Sequence, residues 1–492
     1  MKKRNYNPLL WGATLTLIVF VVTAFAAPET TYATIEHISL GVRNYFGHAY
    51  LYLGLGSVLF LLVLALSPLG KKRLGSTNDR PEHSFWSWIA MLYSAGMGAG
   101  ILLRAVQEPV YMYQNPPFEA RTDAQTLALE FTFYQWGITA WAFYGLFALV
   151  IGYVLFIDKA PVRLSESLAL GTRNPWFKNG IDILTILTTI FGLIAAVGLG
   201  AAQISGGLEH LYQTELPSGF MMGSTTVLVV LAFISAWQGL EKGIKLISKI
   251  NIILTLGIWV YVFFNTAMSQ TLSHFLTATL HYLIDFIPMS LAWDSFNPGI
   301  DFLTDWTFYY WAFWLAWAPF TGIFIARISR GRTLRQLLLG VLLVPSIGTF
   351  VWFSTFGGHA FELIESWGTY SGEFDNVFNS IFVFFEHLPA SSFLNIITLI
   401  VLVGFLVTSL DSAIFVLSMF SDGGKLVPQK KHRLFWAMII WVATLALLGL
   451  SEVRPEGNVL VSVQKILIIT SLPFAFLMIP MGYIFVKRLR KK

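Results

Sequence analysis

Residues 305–322 read DWTFYYWAFWLAWAPFTG, an apolar stretch that contains four tryptophans. At 3.6 residues per turn, Trp311, Trp314 and Trp317 follow one another along a single stripe of a helix. Such a stripe is common in membrane helices, as an aromatic belt near the helix ends or as ordinary bundle core. Because Trp314 and Trp317 lie near the middle of the stretch, it predicts a membrane helix with aromatic side chains facing an internal site.

The composition of the rest of the chain fits the same environment. Of 492 residues, 55% are hydrophobic and only 12% are charged, whereas a soluble domain has about 25% charged residues. No polar linker divides the sequence, so we expect one all-α membrane domain over residues 1–492. Stretches of about 20 apolar residues predict twelve spans. They lie near residues 9–27, 48–68, 86–113, 130–157, 180–209, 217–237, 244–266, 305–328, 336–357, 392–418, 433–451 and 462–486.

The basic residues predict how these spans are oriented. If both termini are cytoplasmic, 27 of the 32 Lys and Arg residues fall in or beside inside loops, as the positive-inside rule requires. The net charge of +5 therefore reflects topology and not a nucleic-acid surface. The first span follows Lys2-Lys3-Arg4 and resembles a signal peptide, but its apolar stretch is longer than a typical signal core. The absence of cysteine excludes disulfides and thiolate metal sites.

The third span contains Ser94-Ala-Gly-Met-Gly-Ala-Gly100. Each glycine in a helix costs about 1 kcal/mol relative to alanine. Close packing of helices through small residues explains Gly96 and Gly100, but it does not explain Gly98 between them. The alternative is a broken helix, which is tolerated at membrane depth only where the free backbone lines a cavity or binds a ligand.

The fourth span carries Trp136, Trp141 and Tyr144 within one side of a helix. Together with the tryptophans of the eighth span, these rings suggest an aromatic cage. A quaternary ammonium group has no N–H to donate, and aromatic faces bind it by cation–π attraction of about 2 kcal/mol or more when desolvated. Core packing remains the alternative.

The tenth span contains Phe405-Leu-Val-Thr-Ser-Leu-Asp-Ser412. Hydroxyl groups at Thr408 and Ser409 can bond to their own helix or supply oxygen ligands to a sodium ion. Asp411 is costly inside a membrane and is therefore a candidate functional residue, unless a nearby arginine pairs with it.

The segment WAFWLAWAPFTGIFIARISRGRT (residues 311–333) resembles the signature of the betaine/choline/carnitine transporter family. The glycine stretch, Glu108-Pro109 and Thr408-Ser409 with Asp411 match the same family in the same order, over essentially the whole chain. The resemblance implies a leucine-transporter-like fold of two inverted five-helix repeats, near residues 86–266 and 305–486, preceded by two extra helices. It also implies a homotrimer.

The resemblance further implies roles for individual residues. An aromatic box for the ammonium group would consist of Trp136, Trp141, Tyr144 and Trp314, with Trp317 just below it on the inward path and Phe313 beside it. The backbone of Gly96, Gly98 and Gly100 would face the substrate carboxylate. The main sodium site would use the carbonyls of Ser94, Met97 and Phe405 and the hydroxyls of Thr408 and Ser409. Arg327 would pair near Asp411.

Three positions depart from the family pattern. Phe313 replaces the usual tryptophan. A second sodium site, which would involve Thr189 and Phe320, lacks one threonine because Leu193 occupies that position. Arg104 replaces an aromatic residue about one turn beyond the glycine stretch, where it can be an outer gate, a structural ion pair or a contact to the substrate anion.

The expected function is secondary active transport, with sodium-coupled import of a small quaternary-ammonium or zwitterionic solute such as glycine betaine. Proton-coupled choline uptake and sodium-independent carnitine-type exchange are the alternatives; exchangers of the family have methionine where this chain has Thr321. We expect sodium as the coupling ion and no organic cofactor. An enzyme is disfavoured because the nine histidines show no paired ligand spacing, and a sensor would need an added soluble domain.

Overall fold

A computed structural model describes residues 7–76, 78–118, 122–168, 174–217, 219–239, 243–453 and 459–491. Some of the Lys and Arg residues on which the predicted orientation depends lie outside these ranges. They are Lys2, Lys3, Arg4, Arg121, Arg173, Lys242, Arg454 and Lys492. Within them the chain is almost entirely helical. The helices are α1 (Pro8–Ala26), α2 (Pro28–Leu66), α3 (Phe85–Met97), α4 (Gly100–Leu103), α5 (Gln107–Gln114), α6 (Ala124–Trp136), α7 (Ile138–Phe156), α8 (Pro175–Tyr212), α9 (Phe220–Gln238), α10 (Lys245–Phe264), α11 (Met268–Leu291), α12 (Ile300–Phe302), α13 (Phe308–Ile328), α14 (Leu334–Trp367), α15 (Ser380–Glu386), α16 (Ser391–Ser421), α17 (Lys430–Val453) and α18 (Val459–Lys491).

Eleven helical segments in the described ranges are long and apolar enough to cross a membrane. Each of them overlaps one predicted span. The remaining prediction, residues 86–113, corresponds to three shorter helices, α3, α4 and α5, because the chain leaves the helical conformation after Met97. Of the two alternatives for the glycine stretch, the broken helix is therefore the one present.

Two helices differ from the sequence prediction. The second span begins at Pro28 and not near residue 48. Its polar first half is still helical because Tyr32, Ile35, Ser39 and Val42, spaced three to four residues apart, are buried on one face. No predicted span covers the residues between 266 and 305, whereas Met268–Leu291 form α11.

The centre of the bundle lies between α7 and α13, which pack against each other along their lengths. Both helices are buried at nearly every position. Helices α2, α8, α14 and α18 pack around this pair. The aromatic stretch of residues 305–322 is therefore at the core of the protein and not on its lipid-facing surface.

Candidate functional site

A cavity of about 460 Å³ lies beside the break between α3 and α4. Its walls come from the glycine stretch, one face of α8, the first half of α13 and part of α16. The residues that the sequence singled out and that line it are Gly96, Met97, Gly98, Gly100, Arg104, Trp136, Tyr144, Phe313, Trp314, Trp317 and Ser409. One cavity thus brings together most of the predicted substrate residues.

The glycines allow two tryptophan rings to lie directly on the backbone of the broken helix. A Cβ atom at Gly96 would overlap the ring of Trp141, and one at Gly100 would lie 3.2 Å from Cη2 of Trp136. Gly98, between them, has φ +56°, a conformation that residues with a side chain rarely adopt. Gly96 and Gly100 therefore allow the rings to approach the backbone closely, and Gly98 allows the backbone to turn.

The four rings of the predicted box are in contact. The centroids of Trp136 and Trp314 are 5.3 Å apart, those of Tyr144 and Trp314 are 5.9 Å apart, and those of Trp141 and Tyr144 are 5.4 Å apart. In each pair the rings are nearly perpendicular, so that their faces and edges meet. All four are buried, and Trp136, Tyr144 and Trp314 line the cavity while Trp141 lies behind them on Gly96.

A second helix break, which was not predicted from the sequence, lies beside the rings of Trp136 and Trp314. The fourth span is interrupted at Gly137, between Trp136 at the end of α6 and the start of α7. The carbonyl of Gln135 accepts a 2.9 Å hydrogen bond from the indole N–H of Trp314, and the amide of Ile138 donates to the hydroxyl of Tyr282 at 3.2 Å. The break thus supplies a backbone acceptor that orients the Trp314 ring.

Two further aromatic residues continue the wall of the cavity along α13. Phe313 lies 5.8 Å from Trp314 and 6.4 Å from Trp317, measured between ring centroids. Trp317 rests on α8, where a Cβ atom at Gly192 would lie 2.9 Å from its ring. The helical stripe of the opening stretch therefore faces the cavity at Trp314 and Trp317, whereas Trp311 is fully buried outside it.

The residues of the predicted sodium site lie where α3 packs against α16. A Cβ atom at Gly98 would lie 3.2 Å from the hydroxyl oxygen of Ser409. Thr408 donates its hydroxyl to the carbonyl of Phe405 at 3.0 Å, which places these two oxygens side by side. The hydroxyl of Ser94 is buried and has no hydrogen-bond partner. The hydroxyl of Ser94 is not one of the predicted ligands, which include the carbonyl of that residue. Carbonyl and hydroxyl oxygens are ligands that suit a hard cation such as sodium.

The second predicted sodium site has fewer oxygen atoms. Thr189 donates its hydroxyl to the carbonyl of Thr185 in its own helix at 2.7 Å. Leu193, one turn later, is buried and offers no ligand. Phe320 is buried next to Trp317.

The predicted pairing of Arg327 with Asp411 is wrong. Arg327 forms a 2.9 Å ion pair with Glu82 near the end of α13. Asp411 is fully buried in α16 and accepts hydrogen bonds from the hydroxyls of Ser235 and Ser412. A carboxyl group held by hydroxyl donors does not need an arginine, and Arg327 reaches the loop that precedes α3 instead.

Arg104 belongs to a polar group at the edge of the cavity. Its guanidinium donates to Gln107 at 2.6 Å, and its Nε lies 4.0 Å from the carboxylate of Glu108. Glu108 is fully buried and also accepts hydrogen bonds from the indole of Trp136, at 2.9 Å, and from the hydroxyl of Tyr310. The Arg104 side chain remains 32% exposed and lines the cavity, so the ion pair leaves it accessible to a solute.

The structure adds residues that sequence reasoning missed. Gln203 on α8 is buried and lines the cavity, and neither its amide nitrogen nor its amide oxygen has a hydrogen-bond partner. Tyr310 lines the cavity and is bonded to Glu108. A glutamine in an apolar span, one turn after Gly200, was the available signal for the first; nothing distinguished Tyr310 from the rings around it.

The chain was compared with protein-family models, with curated proteins and with solved structures. The model of the betaine/carnitine/choline family transporters matches residues 8–492. The glycine betaine transporter OpuD of Bacillus subtilis is 35% identical, with 94% of this chain and 92% of that protein covered. The chain belongs to the betaine/carnitine/choline transporter family. It is thus a multi-pass membrane protein of the cell membrane and a transporter, as its relatives are, not an enzyme.

Other relatives in this transporter family carry different substrate names. A glycine betaine/proline/choline/ectoine transporter of Vibrio parahaemolyticus is 32% identical, with 99% of this chain and 87% of that protein covered. An ectoine/hydroxyectoine transporter of Virgibacillus pantothenticus is also 32% identical, with 99% and 97% covered. Membership of the family therefore does not by itself select one solute.

The fold is also similar to that of a solved structure outside these relatives. The crystal structure of MhsT in complex with L-phenylalanine superimposes with a TM-score of 0.51 at 12% identity, covering 82% of this chain and 89% of that one. At this identity the likeness concerns the helical fold alone.

Proposed function

We propose that this transporter imports a small trimethylammonium solute that carries a carboxylate, such as glycine betaine, together with sodium. The observation that carries the proposal is the contact of Trp136, Trp141, Tyr144 and Trp314 beside the glycine break. The names of two relatives, which transport glycine betaine, support the same class of solute.

The aromatic box suits the methylated end of such a solute. Its rings are buried, so a cation among them loses its water and is attracted to the ring faces by about 2 kcal/mol or more per favourable contact. The indole N–H groups of Trp136 and Trp314 are already donated to Glu108 and to the Gln135 carbonyl. The ring faces are therefore the parts of these side chains that remain available, and a trimethylammonium group needs nothing else.

The opposite end of the solute is proposed to meet the backbone of the glycine break. Gly96, Gly98 and Gly100 line the cavity within reach of the box. Peptide groups freed from helical hydrogen bonding interact with charged ligands in broken transporter helices. This favours a carboxylate-bearing cation over choline, which lacks that group.

Sodium is proposed to bind where Ser94, Met97, Phe405, Thr408 and Ser409 come together. The adjacent oxygens of Phe405 and Thr408 and the approach of Ser409 to Gly98 support it. Since Gly98 packs on Ser409, the same backbone would face the ion on one side and the solute on the other. Such sharing gives a physical reason for coupling, because each ligand would order the segment that the other needs.

The finer architecture is part of this proposal. Adding the broken span of α3, α4 and α5 to the eleven long apolar segments gives twelve crossings. We assign them to inverted repeats near residues 86–266 and 305–486, with both termini cytoplasmic and three copies in the assembly. In this orientation Asp305, Val377 and Val461, which line the cavity, belong to outer segments, and we therefore assign the opening of the cavity to the outside. Labelling of single cysteines by a membrane-impermeant maleimide, with Val427→Cys inside and Trp293→Cys outside, tests the orientation.

Uptake into proteoliposomes tests the function. With an inward sodium gradient, radiolabelled glycine betaine should accumulate and saturate, and replacing external sodium with potassium should stop it. Unlabelled betaine, carnitine, choline, ectoine and proline then compete for uptake, and betaine should compete at the lowest concentration. Accumulation that follows a proton gradient in potassium buffer would favour proton-coupled choline uptake, and exchange without either gradient would favour carnitine-type exchange.

A further inference from the structure

A second group of polar side chains lies away from the cavity, between α6 and α11. It consists of Glu130 on α6 and of His281 and Asp285 on α11. One ligand atom from each, a carboxylate oxygen or an imidazole nitrogen, lies within 4.8 Å of the other two. His281 and Asp285 are one helical turn apart, and Nδ1 of His281 is 3.8 Å from the Asp285 carboxylate.

Glu130 shows that this group is incomplete. Its side chain is only 3% exposed, and its Oε1 atom has no hydrogen-bond partner. In the described part of the chain, no lysine or arginine forms an ion pair with Glu130 or Asp285. A buried carboxylate oxygen without a donor or a cation is unfavourable, so a positive ligand at this point would be stabilised.

We propose that Glu130, His281 and Asp285 bind one divalent transition-metal ion, of the zinc type, between α6 and α11. One imidazole nitrogen and two carboxylates form a ligand set that zinc accepts, with water in the fourth position. Their two negative charges neutralise the ion. These three ligand atoms form a triangle. If each of them moved toward the centre of that triangle by up to about an ångström, all three would lie about 2.0–2.2 Å from a common metal ion.

The site is accessible and its helices are held in register. The side chains of His281 and Asp285 are 33% and 20% exposed, which gives an ion a path to the buried Glu130. Tyr282, next to His281, accepts a hydrogen bond from Ile138 at the Gly137 break and fixes α11 on the α6–α7 segment. An ion here would therefore tie α11 to the helix that ends at Trp136 of the cage.

The ligand types discriminate between metals. Imidazole suits zinc and other transition metals, whereas magnesium prefers a shell of oxygen atoms and retains its waters. Zinc alone is therefore the probe and magnesium the chemical control. A second histidine–carboxylate pair, His359 with Glu362 on α14 at 3.0 Å, provides a matched control, because no third ligand joins it in the described residues.

The experiment uses the purified full-length protein in detergent, with its affinity tag removed and metals stripped by EDTA. Isothermal titration with zinc chloride should give one site per chain and a higher unfolding temperature, neither of which magnesium should produce. Glu130→Gln and His281→Ala should each weaken zinc affinity at least 100-fold, since even residues that only support ligands contribute 10- to 100-fold. His359→Ala should bind as the wild type does.

Several outcomes would overturn the proposal. They are the absence of a one-per-chain zinc site in the wild type, unchanged affinity in His281→Ala, or loss of the site in His359→Ala. If Glu130→Gln does not give a monodisperse protein on size-exclusion chromatography, Asp285→Asn takes its place, since Asp285 is partly exposed. These binding measurements do not depend on which solute is transported.

Discussion

The carboxylate of Glu108 accepts a 2.9 Å hydrogen bond from the indole N–H of Trp136. Glu108 lies at the start of α5, beyond the glycine break, and Trp136 ends α6 as a ring of the proposed box. The hydroxyl of Tyr310 on α13 donates to the same carboxylate. One buried acid therefore connects three elements of the cavity wall and sets the angle of a cage ring.

Glu108→Gln should weaken substrate binding. The amide oxygen can accept from only one of the two donors. If it faces Tyr310, the indole N–H of Trp136 meets the NH₂ group and loses its acceptor; if it faces Trp136, the Tyr310 oxygen can accept from the NH₂ group but its own O–H loses its acceptor. Either arrangement costs about 1–3 kcal/mol. With Trp136 less firmly oriented, we expect betaine affinity, measured by tryptophan fluorescence, to fall at least fivefold. Glu362→Gln, which changes the partner of His359 on α14, is the control. Wild-type affinity in Glu108→Gln would mean that Trp136 is held by packing alone.

Trp314→Leu should remove most of the affinity for a trimethylammonium solute. Trp314 contacts both Trp136 and Tyr144, and its orientation depends on the Gln135 carbonyl. Loss of about 2 kcal/mol of cation–π attraction corresponds to binding at least tenfold weaker. Trp441→Leu removes a tryptophan bonded to Thr226 between α9 and α17, away from the cavity, and should leave affinity unchanged. If Trp314→Leu and Trp441→Leu bound the solute equally well, the four rings would be part of the core packing and not a binding site.

How far the sequence predicts this site depends on what orients each residue. The tryptophan stripe was sufficient to predict that Trp314 and Trp317 face an internal site, because helical periodicity is a local property. The glycine spacing left both close packing and a broken helix open at Gly98, and only the family resemblance implied that the glycines and the rings share one substrate site. The hydrogen-bonding role of Glu108 was not predicted, since its partners Trp136 and Tyr310 come from other helices. Gln203 was not predicted because only the packing of α8 in the fold brings it to the cavity.

The errors have the same origin. The family resemblance implied that Arg327 pairs near Asp411, but Glu82 and Ser235 reach these residues from other parts of the fold. Helix α11 was not predicted because its apolar residues are spaced as on an amphipathic surface helix and do not form a continuous run. That His281 and Asp285 lie one helical turn apart becomes apparent only once this segment is known to be a helix.

Sodium dependence should be altered by the double substitution Thr408→Ala and Ser409→Ala. Removing two oxygen atoms beside the Phe405 carbonyl and Gly98 takes away part of the proposed ligand shell. The sodium concentration for half-maximal uptake should rise severalfold, or transport should stop. Ser418→Ala in the same helix removes a buried hydroxyl that is bonded to the carbonyl of Ile414 and should behave as wild type. An unchanged sodium requirement in the double variant would refute this ligand assignment.

Arg104→Ala separates three roles for the cavity arginine. If Arg104 is an outer gate, its loss should slow transport and change the equilibrium affinity for the solute only modestly. As an anion contact, its loss should weaken betaine binding far more than choline binding, because choline has no carboxylate. As a structural partner of Glu108 and Gln107, its loss should lower the unfolding temperature and leave the ratio of the two affinities unchanged.

The gate is the role we expect, since Arg104 remains partly exposed at the cavity edge while it contacts Glu108. Uptake rates and binding of both solutes, measured in Arg104→Ala and Arg104→Lys, decide among the roles. The lysine variant keeps the charge but loses the planar guanidinium. Transport of both solutes at wild-type rates in the alanine variant would exclude the gate and the contact together.

A graded series of glycine substitutions tests whether the broken helix positions the rings. A methyl group at Gly96 would overlap the ring of Trp141, one at Gly100 would lie 3.2 Å from Trp136, and one at Gly348 on α14 would lie at an ordinary 3.6 Å from Tyr93. Because a buried indole cannot move without displacing its neighbours, betaine affinity should fall most in Gly96→Ala, less in Gly100→Ala and not at all in Gly348→Ala. Unfolding temperatures measured in parallel separate this effect from misfolding. If Gly96→Ala and Gly348→Ala bound betaine equally well in folded protein, contact with the broken helix would not determine the geometry of the cage.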